Sequence, residues 1–184
     1  MTAVSRLVMR WLFLLAIAGI TAGCVPSKAA QCNKLLEKVN KIRPVAEQFQ
    51  QEGKNFEAAA KAAGAKNDLQ GFKTSAAGSA RAFNQLAEKM DDIIQEIQAV
   101  DLKDETLAQL KDRYVQNATA VNALFKETTT ALTTISQIEN SPTGLKQLDQ
   151  AGRSLTATAG KMNSRVQEEN QLVSDFNNYC EVKK

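Results

Sequence analysis

Apolar residues recur along this chain at alternating intervals of three and four. From Cys32 the steps fall on Cys32, Leu35, Val39, Ile42, Ala46, Phe49, Gly53, Phe56, Ala60 and Ala63, nine apolar positions and one glycine. The rhythm restarts at Leu69 and runs through Phe72, Ala76, Ser79, Phe83 and Leu86 to Met90, Ile93, Ile97 and Val100. It restarts again at Leu107, passing Leu110, Tyr114, Asn117, Val121 and Leu124 on its way to Thr128, Ala131, Ile135 and Ile138. A last series leads from Leu145 and Leu148 through Gly152, Leu155, Ala159 and Met162 to Val166, Glu169, Val173, Phe176 and Cys180. A strand alternates every two residues, so this spacing predicts four long helices with heptad-patterned seams.

The punctuation agrees. Gly64 offers a stop and Asn67-Asp68 a fresh N-cap. Ser141-Pro142 reads as an N-cap followed by proline at the first helical position. Connections of a few residues force neighbouring helices antiparallel. Extra apolar positions at Leu36, Ile94, Val115, Phe125, Leu132 and Leu172 widen each stripe beyond a two-stranded seam. The predicted fold is therefore all-α, an up-down-up-down antiparallel four-helix bundle over residues 31–182. Pro44 lies inside the first series without upsetting its phase, which predicts a kink and not a break. Phe49, Phe83 and Leu124 are expected to meet near mid-bundle, with Ala159 or Met162 from the last helix.

The beginning of the chain has a different grammar. Arg6 and Arg10 precede an apolar run, Trp11 to Ile20, and the small residues Thr21-Ala22-Gly23 lead to Cys24. A basic start, a short apolar core and small residues describe an export signal, and the run is too short to span a membrane. Ala22-Gly23-Cys24 resembles the end of the lipobox of bacterial lipoproteins, with Thr21 where leucine is usual. The resemblance covers residues 1–24. It implies removal of residues 1–23, acylation of Cys24 and a lipid-anchored linker over 24–30. It implies an exported, membrane-anchored cell-envelope protein. Where the host has an outer membrane, Val25 stands in place of the Asp that resembles an inner-membrane retention signal. The competing reading is ordinary cleavage after Ala29.

Composition removes several function classes. The chain has no histidine, which excludes Ser-His-Asp and Cys-His catalysis and His-ligated zinc or haem. Loss of Arg6 and Arg10 with the signal leaves 21 basic residues of the 23, against 20 acidic ones, so the balance gives no case for nucleic-acid binding. No phosphate-binding glycine motif occurs, and no cofactor or metal is expected. Glu88, Asp92 and Glu96 share a helix face, which reads as a solvated face and not a cation site. Lys28, Lys34, Lys38, Lys41 and Arg43 form a basic stretch that would lie near anionic headgroups if Cys24 is acylated.

Three cysteines in an exported chain call for an account. With Cys24 acylated, Cys32 and Cys180 remain. An even number of antiparallel helices brings these two to the same end, so they are expected to form a disulfide; two unpaired buried thiols are the alternative. Layer-by-layer pairing of the helices puts Gly53, Ser79, Thr128 and Leu155 together, with Gly152 a turn away. That layer is either a close approach of helices or a cavity for a small apolar ligand. The same pairing sets Tyr114 opposite Glu169, and a seam glutamate must snorkel or find a donor. Asn117 occupies a seam position where a polar residue fixes register.

Two function classes follow from these expectations. One is a non-enzymatic, lipid-anchored interaction or spacer module of the cell envelope, touching the membrane through its lipid and an envelope protein through its helices. The other is a binding module for a small apolar or amphipathic ligand in the bundle core.

Overall fold

The computed structural model describes residues 26–180. The predicted signal segment, Cys24 and Val25 lie outside the described residues, as do the last positions of the predicted bundle. The described residues are helical in five segments: α1 (Lys28–Val39), α2 (Ile42–Ala65), α3 (Leu69–Gln98), α4 (Glu105–Gln137) and α5 (Pro142–Cys180). No strand occurs among them.

Four of the five starts carry a side-chain cap, that of α2 having none. The Ser27 hydroxyl accepts from the Ala30 N–H, Asp68 from Gly71, Asp104 from Leu107 and Ser141 from Gly144, each serving one of the free N–H groups of a first turn. Pro142 opens α5 at a position whose N–H has no helical acceptor. The stop after α2 differs from expectation. The helix runs past Gly64, and Asn67 takes the left-handed conformation at φ 50°. The Asp68 N–H then closes on the Ala63 carbonyl at 2.9 Å. Asparagine does here what glycine commonly does at a helix C-terminus.

Pro44 also acts more strongly than expected. The first series is broken at Asn40–Lys41 and not merely kinked. The Asn40 carbonyl has no N–H to meet at Pro44, and the Lys41 N–H turns to Lys38 at 3.1 Å. Pro44 sits in the first turn of α2, where its missing donor costs nothing.

Successive helices pack on one another, α2 on α3, α3 on α4 and α4 on α5, while α1 touches all four others. The cross-contacts pair early positions of one helix with late positions of the next: Lys41 with Glu96, Phe49 with Phe83 and Phe56 with Phe72. Arg113 meets Asp175, and Lys161 meets Glu127. The arrangement is a helical bundle.

α4 is its central member. All ten positions from Leu107 to Ile138 in its three-four series are buried. α5 behaves differently. It buries Gly144, Ala151, Thr158 and Leu172, a row one residue before the predicted seam, together with Phe176. Leu145, Val166 and Val173 remain 64%, 42% and 40% exposed. α5 packs on α4, with Phe176 edge-on to Tyr114, and has no comparable contact with α2. One side of the bundle is consequently open between α2 and α5.

At mid-bundle Phe49 packs on Phe83 with ring centroids 4.6 Å apart and stacks on Phe125 at 4.1 Å. The ring from α4 is thus Phe125 and not the predicted Leu124, which is buried elsewhere. Ala159 is exposed, and Met162 packs against the core from α5.

Candidate functional site

Two regions of the bundle carry chemistry: the clasp where the described chain begins and ends, and the open side between α2 and α5.

The clasp is covalent and polar. Cys32 and Cys180 form a disulfide with Cα atoms 6.1 Å apart, joining residues 148 positions apart in sequence. The Gln31 side chain is buried beside it. Its amide donates to the Pro26 carbonyl at 2.8 Å, and its oxygen accepts from the N–H groups of Lys103 and Asp104. Tyr179 donates its hydroxyl to Asp104, and the Lys28 ammonium sits 3.9 Å from the Tyr179 ring centroid. The Leu107 N–H, then the Tyr179 hydroxyl, hold the Asp104 carboxyl below its ordinary range. One carboxylate therefore caps α4 and also receives the end of α5.

The open side holds a largely apolar cavity of about 50 Å³. α2 supplies Ile42, Ala46, Phe49 and Gln50, and α3 supplies Met90. Tyr114, Asn117, Ala118, Val121 and Phe125 of α4 form the floor, and Met162, Val166 and Glu169 of α5 the far wall. Register along these helices gathers Tyr114, Asn117 and Glu169 toward the α1–α2 break, with the aromatic and methionine side chains leading away from it.

The polar end is underpartnered. Asn117 is 4% exposed and its amide reaches the Arg165 carbonyl at only 3.4 Å. Its Oδ1 has no hydrogen-bond partner among the described residues. Glu169 forms no ion pair or hydrogen bond among them, and burial raises its pKa. Burial first, then the charge of Glu169, raises the pKa of Tyr114 as well. The two side chains share the cavity without a hydrogen bond between them, so the expected Tyr114–Glu169 pair is a proximity only.

Gly53, Ser79, Thr128 and Leu155 do not line this cavity. Ser79 and Thr128 are buried and Leu155 half-buried, and Thr128 donates to the Leu124 carbonyl of its own helix at 2.9 Å. A Cβ added at Gly53 or Gly152 would meet nothing within 4 Å, so neither glycine marks a close helix approach. Three further α4 threonines, Thr129, Thr130 and Thr134, each donate in the same way to a carbonyl four residues back.

The acidic face and the basic stretch meet at Glu96. Glu96 accepts from Lys38 at 3.3 Å and Lys41 at 2.6 Å, Glu88 accepts from Asn84, and Arg43 pairs with Glu47. Among the described residues no cluster of Cys, Asp and Glu is arranged to hold a metal ion, and no helix is long and apolar enough to cross a membrane. The groove escaped sequence reasoning because each of its walls reads as ordinary seam; the one signal was the seam glutamate. Compared with family models, with curated proteins and with solved structures, the chain matches none.

Proposed function

We propose that this protein is a non-enzymatic, lipid-anchored module of the cell envelope, standing off its membrane as an up-down-up-down four-helix bundle built on heptad seams. α1 and α2 together make the first of its four rods. The observation that carries the reading is the clasp. It ties the start of α1 to the end of α5 only eight residues beyond Cys24. An acyl anchor at Cys24 would load the molecule at its one covalently closed end. The disulfide itself suits export to an oxidising compartment. The envelope partner would meet the helical surface, and no nucleic acid is involved. Two acyl chains hold a protein to a bilayer where one holds it only marginally. Cys24→Ser is therefore expected to abolish incorporation of labelled fatty acid and release the protein from membrane fractions. Continued labelling of the variant would refute the anchor.

The open side of the bundle favours a second reading, a binding module for an apolar or amphipathic small molecule. Its support is the cavity between α2 and α5 with a buried acceptor left unpaired at one end. Native mass spectrometry of the exported protein is expected to show a retained small molecule that denaturation releases. A protein of bare polypeptide-plus-lipid mass from native extraction would count against this reading.

A further inference from the structure

The polar end of the α2–α5 groove presents acceptors without donors. Asn117 Oδ1 is orphaned and buried, and the Glu169 carboxylate lies across from it on α5 with no cation beside it among the described residues. A buried acceptor left unmade costs free energy, and a half-buried carboxylate without a counter-charge adds to that cost. The lysines and arginines nearest in sequence are spent elsewhere: Arg165 pairs with Glu168, Arg113 with Asp175 and Lys161 with Glu127. The remainder of the groove is apolar, walled by Phe49, Val121, Phe125, Met162 and Val166. Val166 stands 42% exposed at the mouth, so the groove opens sideways along its length.

We propose that this groove takes a linear amphiphile with a hydrogen-bond-donating cationic head, such as an alkylammonium. Its head lies between Asn117 and Glu169 and its chain runs along Val121 toward Phe49 and Phe125. The assignment rests on the binding-module reading and adds the sign and place of the head. An anionic head would face Glu169 directly and leave Asn117 Oδ1 unpaired. A cation supplies both missing partners, and hydrogen bonds to charged groups are the stronger ones.

The test is calorimetric titration of the exported, disulfide-bonded chain carrying Cys24→Ser, so that neither acyl chain nor detergent competes. The probes are decylammonium, decanoate and 1-decanol, each below its aggregation limit. Decylammonium is expected to bind about tenfold or more tighter than decanoate, and Glu169→Gln to remove about tenfold of that affinity. Val166→Trp, at a helical position 42% exposed, is expected to block the mouth and weaken all probes. Equal binding of the three probes would overturn the head assignment while leaving a binding module. Absence of binding by any of them would overturn both. Decylammonium affinity unchanged by Glu169→Gln or by Val166→Trp would place the amphiphile elsewhere and overturn the assignment.

Discussion

Glu169 is a carboxylate held against its own interest. Water solvates it in the unfolded chain, and in the bundle burial alone lifts its pKa. The folded state therefore binds this proton more tightly than the unfolded state does. In the window between the unfolded value, 4.5, and the raised folded value, stability falls as pH rises. Below that window both states are protonated and the group contributes nothing. Tyr114 is the titratable side chain facing it across the cavity, and the α2 wall brings only Ile42, Ala46, Phe49 and Gln50. Glu169→Gln is accordingly expected to melt at a higher temperature than the parent near neutral pH. The difference should close as pH falls toward about 4, as paired thermal melts across that range would show. A gap that is the same at both ends would mean that ionisation is not what the glutamine relieves.

Helices with neighbours on two sides reveal themselves in sequence; helices with one neighbour do not. α4 packs on α3 and on α5, so every apolar position of its series is covered whichever way it points. α3 does likewise from Ala76 onward, which is why Phe83 and Met90 could be read as core directly. Phe83→Ala, at 2% exposure and packed on Phe49, is expected to cost on the order of 3–5 kcal/mol in denaturant melts. A loss below about half a kcal/mol would mean that this layer is misassigned. α5 is the opposite case. Its large residues keep the seam rhythm, but in its first half the buried positions are Gly144, Ala151 and Thr158, and only further on do Leu172 and Phe176 go under, Phe176 edge-on to Tyr114 of α4. Periodicity weighs size and hydrophobicity, and it passes over the first three. The groove was illegible for a related reason. The series from Cys32 to Ala63 stays in phase across Asn40–Lys41, so nothing in the pattern announces that α2 starts afresh and leaves α5 uncovered. The cysteine pair was legible because helix count and chain direction alone bring both residues to one end.

At the scale of the whole molecule the disulfide dominates. It closes 148 residues, which in the chain-entropy model removes on the order of 4–5 kcal/mol of freedom from the unfolded ensemble. Gln31, Tyr179 and Asp104 hold the same end by hydrogen bonds, so reduction would leave a weakened clasp and not a free one. Closure has a further consequence that concerns cutting and not melting. Everything from Cys32 to Cys180 is a single covalent circuit, and every inter-helix turn lies inside it. One peptide bond severed in such a circuit turns a loop into a line without producing two molecules. The exposed turn at Lys66 is the place to see it. After limited trypsin treatment there, the protein is expected to migrate as one species without reductant and as two with it. The nicked form should keep its helicity, since both fragments stay joined at the far end. A protein built this way tolerates a first proteolytic cut in a loop and is lost only at the second.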